Sequence, residues 1–262
     1  MRFPLHKKGI KPKEYIKVIV AICDMIDIEQ MKKLKTKNPI IILGFPGTGL
    51  VGSVAATQLV EVLDLEFIGY ITSPEFAPLA AIHEYMPLPA ARIHYSEKYN
   101  LMVILSEMSI PVASSQELAQ KILEYVKKIG AQEIITLGGI SMHEGPDLVY
   151  AISTDKKVTN EIIKNNIAKP IKEGATTGVT GILLALGTVL KFPMVSFLAE
   201  ASEDHLDPKA ASNVLKALEK KLGIKIDTKI LDDEAKDLEK ELRGKMVKSK
   251  VAIKKPIGSM YG

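Results

Sequence analysis

The chain contains no tryptophan and a single cysteine, Cys23. One cysteine excludes an internal disulfide and suits a reducing compartment, so a cytoplasmic location is expected. Aromatic residues supply only 5% of the sequence, which leaves Leu, Ile, Val and Ala to build the core. Long apolar runs are also missing: none approaches the roughly 18–20 residues that cross a bilayer. The N-terminal cations Arg2, Lys7, Lys8, Lys11 and Lys13 are not followed at once by an apolar stretch, so neither a membrane partner nor a secretory signal is expected. A net charge of +4 is too small to signal nucleic acid as a partner, and no aromatics interleave with the lysines. The five histidines, at 6, 83, 94, 143 and 205, form no H-x-x-x-H pair and have no cysteine partners, so no metal or cofactor site is legible.

What is present is an α/β pattern. Apolar residues make up 47% of 262 positions, enough for a large core. β-branched runs predict strands at 15–23, 39–44, 66–72, 133–138, 147–154 and 193–199, and a hairpin at 90–95 and 100–106. Helical spacing predicts helices at 50–63, 160–166 and 182–190. Ser114 to Glu117 reads as a capping box opening a helix that stops at Gly130. Asp207-Pro208 opens another, ending near Gly223. Pro74, Pro78, Pro87 and Pro89 predict a loop across 74–89. Strands alternating with helices give a layered α/β fold, and the hairpin makes the sheet mixed. The expected organisation is a basic arm at 1–14, one domain at 15–225, a helix at 226–246 and a flexible tail at 247–262. Leu231, Ala235, Leu238, Leu242 and Met246 line one stripe of that helix, which either docks on the core or pairs with another subunit. Both chain ends are basic; the tail carries Lys248, Lys250, Lys254 and Lys255.

The most distinctive stretch is GFPGTGLVGS at 44–53, whose Gly47, Gly49 and Gly52 spell G-x-G-x-x-G between a strand and a helix. A dinucleotide site needs an acid at the end of the next strand. Glu66 stands at the wrong end of that strand, and Glu75 follows a proline. Pro46 removes a backbone N–H from a turn that should donate several. A Walker loop is excluded because Leu50-Val51 stand where Lys-Ser/Thr belong. The plainer reading is that Gly44, Gly47, Gly49 and Gly52 let the helix start close to the sheet. Elsewhere, His143-Glu144 falls in a strand-end loop. Glu200, Glu203, Asp204, His205 and Asp207 cluster after a strand, and Asp207 has a capping role. No nucleophile, base and orienting group assemble from these residues, so catalytic residues are not expected.

Four blocks together are more specific than the glycines. NPIIILGFPGTGLVGSVAATQLV at 38–60, GATTGVTGILLALG at 174–187, PMVSFLAEAS at 193–202 and DPKAASNVLKALEKKLGI at 207–224 resemble the proteasome assembly chaperone family over about residues 38–225. The resemblance implies a three-layer α/β/α, phosphorylase-like fold without a known catalytic role. It implies partners too: the α-subunits of the archaeal proteasome core particle, whose assembly the family assists. It also turns the glycine stretch toward packing. The final residues Met260, Tyr261 and Gly262 fit the hydrophobic-Tyr-X ending of ATP-independent proteasome activators. In such proteins the terminal carboxylate pairs with a lysine between adjacent α-subunits, and the tyrosine helps move the gate. Relatives with this ending imply a homo-oligomer, with a homotetramer favoured, whose several tails would gain avidity. The rival expectation is a small-molecule enzyme of nucleoside-phosphorylase type, with the turns at 44–49, 138–145 and 176–181 around a phosphate.

Overall fold

A computed structural model of the chain describes residues 25–141, 145 and 147–253, with side chains described as far as residue 241. Its centre is four parallel strands: β2 (Ile40–Gly44), β7 (Leu101–Ser106), β8 (Glu133–Ile140) and β11 (Met194–Glu200). β2 sits between β7 and β8, with Ile40 opposite both Leu101 and Glu133. A strand buried on both faces must be apolar throughout. Ile41 and Leu43 accordingly enter one core and Ile42 the other, each at most 1% exposed.

Antiparallel strands flank this centre. On one side β6 (Ala91–Ser96) pairs with β7, β3 (Glu66–Thr72) with β6, and β1 (Asp27–Gln30) with β3. On the other, β9 (Val149–Ser153) runs against β11, and β10 (Lys169–Pro170) lies parallel to β9. The nine strands form one mixed sheet, ordered β1-β3-β6-β7-β2-β8-β11-β9-β10.

Helices cover both faces. α1 (Val51–Val62), α3 (Lys156–Lys164), α5 (Pro208–Leu222) and α6 (Lys229–Ile253) lie on one side. α2 (Val112–Lys128) and α4 (Gly178–Leu190) lie on the other. The mixed sheet and the C-terminal helix are as the sequence pattern predicts, and the three-layer α/β/α arrangement is the one that the family resemblance implies. α2 buries Leu118, Ala119, Ile122, Leu123 and Val126, a stripe at helical spacing, and each fully buried aliphatic contributes about 1.5–3 kcal/mol. α5 begins as read: the Asp207 carboxylate accepts from Ala210 N at 2.9 Å, Pro208 fills the first turn, and Gly223 closes it at φ +68°.

Several expectations are corrected. Residues 74–89 are not a plain loop; they hold a second, two-stranded sheet of β4 (Ala80–His83) and β5 (Met86–Pro89). Pro87 and Pro89 are tolerated because they face Ile82 and Ala80 across positions whose N–H groups point out of the ladder. The capping box is not formed. α2 starts two residues before Ser114, after Pro111, and the Glu117 carboxylate instead accepts from Met25 N and Ile26 N at 2.7 and 2.8 Å. α3 starts earlier than read because Asp155 caps it, accepting from Lys157 N at 2.7 Å. α4 absorbs Gly178 to Gly181, read as a turn. β1 and β10 escaped sequence reading altogether, and the strand read at 15–23, with Cys23, lies outside the described residues.

The last helix runs to Ile253 and not to 246, so 247–253 is helical and not the start of a flexible tail. No glycine or proline interrupts those seven residues, and Pro256 comes later. Of the two roles left open for its stripe, the first turns dock on the core: Leu231 is 3% exposed and Ala235 6%. Asp232 secures the contact to α5, bonded to Ser212 Oγ at 2.8 Å and Lys216 Nζ at 2.9 Å. Although burial opposes it, these partners hold the Asp232 carboxyl below its ordinary pKa.

Candidate functional site

The carboxyl ends of parallel strands are where α/β sheets open a crevice. Here the crevice begins where β2 runs into the glycine turn. A methyl group at Gly44 would lie 2.3 Å from both Ala56 Cβ and the Gly52 carbonyl oxygen. One at Gly52 would lie 2.5 Å from the carbonyl oxygens of Leu137 and Phe45. These two glycines therefore set the contact distance between α1 and strands β2 and β8. Gly49 serves differently: φ is +61°, a left-handed turn that glycine adopts without strain. Gly47 is extended and meets nothing within 4 Å, so it lines open space.

That space is a cleft of about 240 Å³. Its walls are Phe45 to Thr48, Ser109 and Ile110 before α2, Gly138 and Gly139 at the end of β8, and Thr176 to Thr180 entering α4. The first turns of α2 and α4 and the short 3-10 turn at Thr48–Leu50 converge on it. Among the described residues no Asp, Glu, His, Cys, Lys or Arg lines it. A wider cleft of about 660 Å³ adjoins it, sharing Thr48, Gly139, Thr176, Thr177 and Leu198. Ile152, Ile171, Leu184 and Ala185 give it an apolar floor, and Lys172, Glu173 and Glu203 bring charge to it. The arrangement can hold a small molecule by backbone and hydroxyl groups. Among the described residues the titratable side chains belong to the wider cleft, which Lys172, Glu173 and Glu203 line, and not to the smaller one.

The other singled-out residues separate. Ser53 is buried and donates to the Ser106 carbonyl at 2.7 Å, a structural bond. His205 Nδ1 lies 2.9 Å from Ser202 Oγ, and Asp207 also accepts from Ser202 N at 3.2 Å, so this loop is knitted to its own helix cap. His143 and Glu144 lie outside the described residues. So do Lys254, Lys255, Met260, Tyr261 and Gly262; Lys248 and Lys250 fall on the backbone of α6.

A polar cluster that sequence reading missed joins the two hairpins. Arg92, 2% exposed, donates from Nη2 to Glu107 Oε1 at 2.5 Å and from Nε to His94 Nε2 at 3.2 Å. His83 Nε2 stands 2.7 Å from the same Glu107 oxygen and 2.9 Å from Arg92 Nη2. Burial pushes His94 down to about pKa 4, reinforced by the charge of Arg92; the hydrogen bond to the Leu65 carbonyl at 3.2 Å opposes but does not reverse it. The only trace in the sequence is the i, i+2 spacing of Arg92 and His94, which puts both on one face of β6.

Fold and cleft together define an α/β/α sandwich in which the glycine turn is a packing joint and the last helix is fastened to the body. The chain belongs to the PAC2 family, whose model matches residues 41–245. It is similar to Pyrococcus furiosus PbaA, an archaeal homolog of proteasome-assembly chaperone, at 30% identity and TM-score 0.76, covering 87% of this chain and 95% of that one. Pyrococcus furiosus PbaB, an archaeal proteasome activator, is 29% identical with TM-score 0.74, over 84% and 98%. An uncharacterised protein of Methanocaldococcus jannaschii is 27% identical over 220 residues, 84% of this chain and 90% of its own length. Among the described residues no helix is long and apolar enough to cross a membrane.

Proposed function

We propose that the protein binds the proteasome core particle through its C-terminal residues and acts without catalysis, as an ATP-independent gate opener, as an assembly chaperone for α-subunits, or as both. The observation that carries this reading is the near full-length likeness to PbaB and PbaA, with Met260-Tyr261-Gly262 as the last residues of the sequence. The physical chemistry suits the task. A terminal carboxylate captured by a lysine makes a charge-assisted bond. Tyr261 adds an apolar ring and a hydroxyl on few rotors, and Met260 an adaptable plug. Docking that favours the open gate shifts its population without nucleotide. The lysines at 248, 250, 254 and 255 would speed encounter with an acidic face and make binding salt-sensitive.

The geometry of α6 supports the reading. The helix is fixed at Leu231 and Ala235 and continues for 18 residues beyond Ala235, about 27 Å at 1.5 Å per residue. A stalk of that length would hold the terminal segment clear of the fold. A homo-oligomer, a tetramer in the favoured arrangement, would present several such stalks, raising avidity by roughly 10²–10⁴ where spacing matches.

The test is peptide hydrolysis by core particle, with full-length protein, with Tyr261→Ala and with residues 260–262 removed. Stimulation by the full chain and at least tenfold less by both variants is expected. Equal stimulation by all three would reject tail docking and leave chaperoning to be read by capture of free α-subunits.

The paired clefts favour a second reading, a small-molecule site of nucleoside-phosphorylase type. Ligand-specific thermal stabilisation in a screen of nucleosides, phosphate and dinucleotides would support it; none would remove it.

A further inference from the structure

The two ends of the sheet carry opposite charge. At the carboxyl end of the parallel strands, the loops 73–79, 107–111, 171–177 and 201–207 hold Glu75, Glu107, Glu173, Glu203, Asp204 and Asp207 against Lys172 alone. At the other end three segments meet: the β1–β2 loop 31–39, the β6–β7 turn 97–100, and 127–132 from the last turn of α2 to β8. They hold seven lysines, at 32, 33, 35, 37, 98, 127 and 128, and one acid, Glu97. Each of these lysines is exposed.

The loop 31–39 is anchored by its other residues and displays its cations. From Lys33 to Lys37 exposure alternates. Leu34 packs against the core beneath α2 and α4, and Thr36 Oγ1 is bonded to Tyr95 Oη and Asn100 Oδ1, so Lys33, Lys35 and Lys37 face water. Asn100 Nδ2 donates to the Lys37 and Asn38 carbonyls at 3.0 and 3.2 Å, which ties the loop to the β6–β7 turn. Gln132 N donates to the Pro39 carbonyl at 3.0 Å, which ties it to the approach of β8. Neutral bonds therefore gather the three segments. Lys32 pairs with Glu66, and Lys35 with Glu97 at 3.0 Å. Among the described residues Lys33, Lys37, Lys98, Lys127 and Lys128 have no carboxylate partner. Lys127 and Lys128 offset the dipole at the end of α2. The loop lysines have no helix end to serve, and like charges crowded on one surface repel. Such crowding opposes folding and is relieved by opposite charge from outside.

The groups that present the charge define the partner. All the cations are lysines, and no arginine stands in the three segments to fork onto phosphate. The rings nearby are engaged, Tyr95 by Thr36 and Tyr99 by Lys98 Nζ at 4.7 Å from its centroid, and do not offer a face for a base to stack on. Ammonium groups on flexible stems suit carboxylates spaced along a polypeptide. We propose that this end of the sheet binds an acidic polypeptide segment rich in Asp and Glu. It lies opposite the end at which α6 leaves the body, where Leu238 and Glu239 line a cavity with His205 and Asp207. A chain held by its C-terminal residues would keep its basic end free. The inference does not rest on tail docking.

The test is fluorescence anisotropy of a labelled poly-glutamate peptide titrated with the full chain, in low and in physiological salt. Wild type is expected to bind, less tightly as salt rises. Lys33→Gln, Lys37→Gln and Lys98→Gln combined should weaken binding about fivefold or more, with the far-UV spectrum unchanged and the urea midpoint undiminished. The control, Lys172→Gln, Lys236→Gln and Lys240→Gln combined, removes the same charge from exposed positions elsewhere and should bind within about twofold of wild type. The C-terminal lysines are intact in both, so the difference between the two triple variants isolates the basic end. Wild type that does not bind, a Lys33, Lys37 and Lys98 variant that binds like wild type, a control that loses as much, or tighter binding of a single-stranded oligonucleotide of equal length would each overturn the proposal.

Discussion

Two hairpins stand side by side in this molecule and obey opposite rules. In β6–β7 all twelve residues are buried, and the strands sit inside the nine-stranded sheet. In β4–β5 only Ala81 is buried, and the strands pair with each other alone. In the first, β7 is held by apolar burial on both faces, while β6 buries Ala91, Ile93 and Tyr95 on one face and the hydrogen-bonded Arg92 and His94 on the other. The second is fastened by a few polar bonds: His83 at Glu107, and Arg92 Nη1 at the Pro89 carbonyl, 3.4 Å away. The lesson is that adjacency in the chain does not make hairpins equivalent; one is part of what folds the domain, the other is displayed by it.

The sharpest way to test that difference is to truncate matching isoleucines. Ile104, at 0% exposure in β7, touches the core from every side, and Ile104→Ala should cost about 2–5 kcal/mol in urea denaturation. Ile82→Ala at 74% exposure should change monomer stability by no more than about 0.5 kcal/mol. Comparable losses would mean that the outer hairpin is as deeply integrated as the inner one.

The junction between the hairpins offers a second contrast, read in pH. Folded His94 stays neutral down to about pH 4, against an ordinary value near 6.5. Between those values the unfolded chain binds the proton and the folded chain does not. The contribution is therefore complete above pH 6.5 and is lost as pH falls toward 4, by at most about 3 kcal/mol. Carboxylates titrate nearby, so the measurement is the stability difference between wild type and His94→Gln, taken from pH 7.5 to 4.5. It should shrink as pH falls. A constant difference would place the imidazole in water and not beneath the hairpin.

The same contrast explains what the sequence made legible. β7 is visible because burial on both faces forces a continuous apolar run, Leu101 to Leu105, and β6 is legible as the alternating partner strand of the same hairpin. α5 is visible because Asp207, Pro208 and Gly223 stand at the cap, the first turn and the terminus of one helix. The outer hairpin was hidden because its signals are inverted: prolines that usually end strands occupy edge positions that need no donor, and Glu84-Tyr85 replaces a turn dipeptide. The capping box at Ser114 misled for a related reason. Glu117 was free in the sequence but is taken in space by Met25 and Ile26, 92 and 91 residues away. For the candidate site, the glycine turn and the Thr176–Thr177 approach were legible as local patterns. Lys172 and Glu203 were not, because nothing local says that loops 31 residues apart face one cleft.

The smallest predicted effect discriminates by its sign. Tyr85 is 99% exposed at φ +67°, a left-handed position that glycine occupies freely. Tyr85→Gly therefore removes a side chain that packs on little and relieves backbone strain, and it should raise stability by about 0.5–1 kcal/mol in urea denaturation. Were it to destabilise the chain instead, the tyrosine would be packing on its own chain, and the two hairpins would differ less than their exposure indicates.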